Sequence, residues 1–378
     1  MTPRLNNKRS AGFTLVEIMV GLVIGLLATV VIMKVLSVFE AQKRTTTGTA
    51  DAQINGNIAL YNLEREVQMA GFPLMPYGQP GVADSPLECA TLNINGTLDA
   101  TVPNRLSPLA ITDGGVNGSD TITIRYGDSA SGGIFAQVGG AGAAASVGSP
   151  APAMDVPVTD SLGCNNSDAA LFVMGGTCAM APLSATSGVP NATTITLVNN
   201  AAVTAGAAVP NANMACLGTW HEVTYRINGG NLERCDLPVA TKNGGNCNLV
   251  TPNANFVPVV AGIVNIQAQY GIAATGLLSS AANFNQVTQW VDATGAWATP
   301  SAANRNLIKA VRVAVVARNA RRETNIVTTG VASWTGSASS PAPAVNLSAT
   351  AADWNHYRYR VFDTIIPLRN VIWSKSTL

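Results

Sequence analysis

Glu17 is the one ionisable side chain in Phe13–Met33, FTLVEIMVGLVIGLLATVVIM, an apolar run of 21 residues. On insertion scales such a group costs on the order of 2.5 to 3.5 kcal/mol near a bilayer centre, so its presence calls for a cation to meet it. The rest of the chain offers little for catalysis. Only His221 and His356 supply imidazole, and no G-x-S-x-G elbow, G-x-x-x-x-G-K loop or H-E-x-x-H pair occurs. His221 alternates with Val223 and Tyr225 on the apolar face of an expected strand and reads as a packed histidine; His356, beside Tyr357, reads as solvent-facing. No enzymatic activity is expected.

The six cysteines, Cys89, Cys164, Cys178, Cys216, Cys235 and Cys247, are even in number and contain no C-x-x-C pair. With so few histidines a zinc site is not expected, and neither is any other metal or cofactor. An oxidising compartment would pair these thiols, and six allow 15 full connectivities. The local pairs Cys164 with Cys178 and Cys235 with Cys247 are preferred. The segment Asp113–Asp120, DGGVNGSD, is rich in oxygen ligands but lacks EF-hand spacing and reads as a turn before a strand.

Charged residues make up 11% of the chain and the net charge is +1, which argues against a nucleic-acid groove despite the short basic spot at Arg321 and Arg322. Abundant small residues with 6% aromatics suit short strands joined by long loops.

These residues need elements to position them. The apolar run would span roughly 30 Å as a helix, enough to cross a bilayer. Arg4, Lys8 and Arg9 precede it, which predicts a cytoplasmic N-terminus and everything after Lys34 facing outward. A cleavable secretory signal would need a small-x-small site after the run, and Lys34–Phe39 offers none. A plain signal anchor accounts for the length but not for Glu17. Within the run Gly21 and Gly25 form a G-x-x-x-G, a face for close helix packing.

Helical periodicity then resumes. Leu60, Leu63, Val67 and Ala70 form one stripe and Ile54, Ile58 and Tyr61 a second beside it, until Gly71, Pro73 and Pro76 stop the helix. From Phe13 to Ala70 this is about 87 Å if unbroken. After Pro80 the period becomes two. Strands are expected at Asp120–Tyr126, Thr194–Val198, Trp220–Ile227, Leu232–Cys235, Val259–Tyr270, Leu307–Ala317 and Tyr357–Arg369, with Asn228–Asn231 turning a hairpin. Stretches near 128–155, 181–213, 273–305 and 333–353 are small-residue segments read as exposed loops. The expected organisation is a leader over 1–12, a membrane helix over 13–34, its amphipathic continuation over 35–72 and an extracytoplasmic β-rich domain over 73–378.

The stretch Lys8-Arg9-Ser10-Ala11-Gly12-Phe13-Thr14-Leu15-Val16-Glu17 resembles the prepilin signature of type IV pilins and type II secretion pseudopilins. The resemblance implies cleavage by a prepilin peptidase between Gly12 and Phe13, N-methylation of Phe13, and an assembly role for Glu17. The freed amine of Phe13 on a neighbouring subunit is then the cation that the carboxylate lacks. Five later blocks resemble the PilW family of minor pilins: Asn62–Phe72, Leu232–Cys235, Val259–Gly271, Ala310–Arg318 and Tyr359–Asn370. That likeness implies the α+β type IV pilin fold, a long N-terminal helix packed on an antiparallel β-sheet domain. It also implies a complex with other minor pilins that primes the pilus and sits at its tip. Other minor pilins and the major pilin, met through the N-terminal helix, are the expected partners, with a tip adhesin as a further one. Arg312, Arg318, Arg358, Arg360 and Arg369 are candidates to line such contacts. The expected location is the inner membrane as a single-pass protein, then the pilus. The alternatives are a J-type pseudopilin of a type II secretion system and a tip module binding DNA or a surface ligand.

Overall fold

The computed structural model of the chain describes residues 12–74, 87, 89–95, 97–98, 105–139, 146–147, 154–174, 176–184, 193–198, 212–238, 247, 255–273, 286–337 and 340–372. The chain divides into two compact units, Met1–Asp51 and Ala52–Leu378, and one helix, α1 (Leu15–Met69), contributes residues to both. In the first unit every large apolar side chain from Phe13 to Phe39 is between 47% and 83% exposed. In the second, Ala52, Gly56, Ala59, Leu63, Val67 and Ala70 form the buried stripe, a run of threes and fours that keeps one helix face inward. Ile54, Ile58 and Tyr61 are exposed.

Gly71, at φ 77°, ends the helix in the left-handed conformation that glycine adopts freely. The orphan carbonyls of the last turn are met by Asn370, whose amide donates to Gln68 O (3.2 Å) and Ala70 O (3.1 Å). Gly71 N donates to Arg125 O at 2.8 Å, so the end of the helix is tied to the sheet at a defined place.

Eighteen strands follow among the described residues. The first nine are β1 (Thr91–Ile94), β2 (Thr97–Leu98), β3 (Leu109–Thr112), β4 (Thr121–Gly127), β5 (Phe135–Gln137), β6 (Ser146–Val147), β7 (Met154–Pro157), β8 (Ala169–Met174) and β9 (Thr177–Pro182). The others are β10 (Thr194–Leu197), β11 (Asn213–Cys216), β12 (Trp220–Asn228), β13 (Asn231–Pro238), β14 (Val257–Ala261), β15 (Ile263–Ala273), β16 (Val287–Val291), β17 (Ile308–Arg318) and β18 (Tyr359–Pro367).

Two antiparallel sheets carry the main core, one in the order β14-β13-β12-β4-β3 and the other β16-β15-β17-β18. Gly262, at φ 76°, kinks one run of chain so that β14 serves the first sheet and β15 the second. Ile122, Ile124, Val223, Tyr225, Tyr270, Val311, Val313 and Val315 bury against the α1 stripe. Each such side chain contributes roughly 1.5 to 3 kcal/mol, subject to the compactness of the unfolded chain.

Between β4 and β12 the chain builds most of a second β unit. A six-stranded sheet, β2-β1-β9-β8-β11-β5, with β1 parallel to β9, meets a three-stranded sheet, β10-β7-β6. Both faces of the larger sheet are covered: Leu171 and Val173 join the main core, while Ala170 and Phe172 pack with Val156, Ile195 and Leu197 in a second core. The stretches read from composition as loops are therefore partly folded, with β5 to β7 in the first, β10 in the second and β16 with a short helix (Ala302–Leu307) in the third. In the fourth, Val345 and Leu347 pack on Val264 and Val316.

The same alternation decides the disulfides. They are Cys89–Cys178, Cys164–Cys216 and Cys235–Cys247. The short pair at Cys235 is as expected, but Cys164 does not pair with Cys178. Cys178 points into the main core with Cys89, whereas Cys164 and Cys216 lie in the second core, on the other side of the sheet. Nearness in sequence is overridden by the period-two flip of a strand.

Candidate functional site at the N-terminus

The start of α1 is organised by two side chains. Thr14 precedes the first helical residue, and its Oγ1 accepts from Glu17 N at 3.3 Å. Glu17 replies: its Oε2 accepts from Thr14 N (3.0 Å) and from Thr14 Oγ1 (3.0 Å). This reciprocal arrangement is a capping box, and it satisfies donors that no helical carbonyl can reach. The carboxylate also sits in the first turn, where the positive end of the helix dipole favours an anion. Both bonds to Glu17 use one oxygen, so among the described residues Oε1 takes none.

Polar side chains deeper in the apolar run are closed on their own backbone. Thr29 Oγ1 donates to Gly25 O (2.8 Å) and Leu26 O (2.9 Å), and Ser37 Oγ donates to Lys34 O (2.8 Å). Hydroxyls so satisfied cost little in an apolar medium. Gly12, Gly21 and Gly25 have open space where a Cβ would stand, so the G-x-x-x-G face is bare in the single chain. By length and composition α1 can cross a membrane; its most apolar window has mean hydropathy 2.7 and is 0% buried. The residues before Gly12 lie outside those described.

Residues 7–33 match the family model of the prokaryotic N-terminal methylation motif, and residues 246–370 match that of Type IV Pilus-assembly protein W, PilW. The PilW match covers the C-terminal third of the chain. Three of the five blocks that resemble the family lie within the matched residues; the helix end Asn62–Phe72 and Leu232–Cys235 precede them. No curated protein sequence matches the chain. Among solved structures, a type IV-like pilin from Thermus thermophilus is similar over 56% of this chain and 89% of its own, at 14% identity and a TM-score of 0.22, too low to carry an argument. The methylation motif with its apolar helix fits a membrane-anchored pilin.

The PilW-matched residues run from β14 through β18, and the strands there bury charge that their alternation does not announce. Arg312, 5% exposed, donates to Gln269 Oε1 and to the carbonyls of Thr335 and Ser340, with the rings of Trp290 and Trp334 at 5.1 and 5.3 Å. It clamps Trp334, Thr335 and Ser340 to the sheet and is not a surface arginine; Arg358, Arg360 and Arg369 are exposed.

Outside the PilW-matched residues, His221 is not the packed histidine that its spacing suggests. Its Nδ1 lies 2.9 Å from Asp236 Oδ1 and its Nε2 3.7 Å from Asp128 Oδ2, with its ring stacked on Tyr126 at 5.3 Å. The Asp236 hydrogen bond holds the imidazole above its ordinary pKa despite burial. Asp236 in turn accepts from Arg234, which donates to Glu66 of α1 at 2.9 Å, so this chain of charges fastens the helix end to β13. His356 is half-buried, with Nδ1 3.0 Å from Glu323 O. The acidic loop is a turn: Asp113 accepts from Gly115 N, and Asp120 accepts from Gly114 N and Ala268 N. Burial pushes Asp120 up to about 7 against those two donors. Among the described residues no cluster of three or more His, Cys, Asp or Glu could hold a metal.

Proposed function

We propose that this chain is a minor pilin of type IV pilus assembly, joining other minor pilins in the complex that primes the pilus and sitting at the pilus tip. The reading is structural, not enzymatic. What carries it is the segment Phe13–Phe39, an apolar helix without a buried residue, headed by a carboxylate held at its first turn. Such a surface is stable only against lipid or against helices of its own kind. Cleavage after Gly12 by a prepilin peptidase leaves the new ammonium at Phe13, one residue before the cap. Glu17 Oε2 is engaged by Thr14, and Oε1 remains for the ammonium of a neighbouring subunit. In the second unit Ile54, Ile58 and Tyr61 form another exposed apolar stripe, open to a neighbouring subunit. Three disulfides suit the oxidising side of that membrane, with the N-terminus in the cytoplasm.

Mass spectrometry of the protein from the membrane fraction should find an N-methylated Phe13 as the first residue. An intact Met1, or a cut beyond Val38, would refute the reading. Glu17→Ala should insert normally yet fail to co-purify with other minor pilins and lower piliation. Undiminished assembly in that variant would remove the carboxylate from the mechanism.

A further inference from the structure

We propose that a cleft beside Arg318, in the second unit, binds a small acidic sugar. The cavity is about 450 Å³, within the size range of small-molecule sites. It is walled by the β12–β13 turn at Gly229 and Gly230, the end of β17 at Arg318, the loop before β4 at Asn117, and Thr350. No aspartate or glutamate lines it. Arg318 is its one charge and is held in place by its guanidinium lying 4.6 Å above the Tyr357 ring. Among the described residues no carboxylate forms an ion pair with it. An oriented guanidinium with donors to spare and no acid beside it suits a carboxylate, which it can grip at two points.

The remaining walls ask for more than a bare anion. Asn117 Oδ1 already accepts from Asn346 Nδ2 at 2.7 Å, which leaves its own amide N–H groups to donate. Thr350 Oγ1 donates to Leu347 O at 2.7 Å and lies 3.4 Å from the Tyr359 hydroxyl, which leaves it one acceptor lone pair. Ile227 and Val264 supply apolar surface for a C–H face. Gly230, at φ 77°, is in the left-handed conformation that glycine adopts freely and leaves the rim without a side chain. Carboxylate, hydroxyls and one apolar face together describe a uronic or sialic acid; inorganic phosphate would leave most of the cavity unfilled.

The inference stands apart from the assembly role, because none of these residues belongs to the N-terminal segment. It is tested by titration calorimetry on the full chain in detergent micelles, with glucuronate, N-acetylneuraminate, glucose and inorganic phosphate as ligands. At least one acidic sugar should bind, and glucose and phosphate about tenfold more weakly or worse. Arg318→Gln should weaken the acidic sugar by about tenfold or more. Because Arg318 also stacks on Tyr357, Asn117→Asp serves as a second variant at an exposed position: it sets a carboxylate opposite the ligand's and should weaken binding comparably with unchanged thermal unfolding. Equal affinity for glucose or phosphate, indifference to both substitutions, or no binding of either acid at tens of millimolar would overturn the proposal.

Discussion

Lys309, on β17, is 1% exposed, and among the described residues its ammonium has no hydrogen-bond partner. Burial pushes its pKa down to about 8 from 10.5. A folded-state value below the unfolded one means that the charge costs stability, up to about 3 kcal/mol, and the full cost is present below pH 8. Between pH 8 and 10.5 the unfolded chain binds the extra proton, so native stability rises with pH across that window. Lys309→Met should therefore raise the melting temperature by several degrees at neutral pH, and its advantage should shrink below about 1 kcal/mol near pH 10. Thermal unfolding of both proteins at the two pH values decides it; a pH-independent shift, or a loss, would show that the amine has a partner. Nothing in the spacing of β17 marks Lys309, just as nothing marks Arg125, Glu222 or Arg312, all buried in strands. Period-two alternation says which residues share a face but not that both faces are covered, and here the second β unit and Thr335, Ser340, Val345 and Leu347 cover them.

Helix α1 in the second unit was half legible. Leu63, Val67 and Ala70 are buried as their spacing predicts, but the stripe continues through Gly56 and Ala52 and not through the larger Ile54 and Ile58. Apolarity ranks the larger residues first; close packing chooses the small ones, because the ring of Phe362 on β18 occupies the space a Cβ at Gly56 would need. Glycine inside a helix costs about 1 kcal/mol relative to alanine, so its presence is accounted for by that approach. Gly56→Leu should lower stability by about 1 to 3 kcal/mol through overpacking, and adding Phe362→Ala should restore part of the loss. Denaturant unfolding of the two single variants and the double variant measures the coupling. Additive losses would mean that the two positions do not meet.

At the scale of the molecule, legibility follows dimensionality. The N-terminal motif was open to sequence reasoning because its residues, Thr14 and Glu17 among them, are neighbours in sequence at one helix start. The Arg318 cleft was not, since its walls come from positions as far apart as Asn117 and Ala351, joined only by sheet order. The disulfides fall between the two. Two bridges belong to different cores, and this separates their consequences: Cys89–Cys178 staples the main core over 89 residues, and Cys164–Cys216 staples the second core over 52. Loop-closure entropy puts each of these at about 4 to 5 kcal/mol and the 12-residue Cys235–Cys247 loop at about 3. Replacing Cys164 and Cys216 together by serine should therefore loosen the second core while leaving the main sheets folded. Limited proteolysis should then cut first between Ser129 and Thr219, at sites protected in the parent. Replacing Cys89 and Cys178 should instead unfold both cores in one transition, since β8 and β9 face the two at once. First cuts within β12, β15 or β17 of the Cys164/Cys216 variant would show that the two cores do not unfold separately.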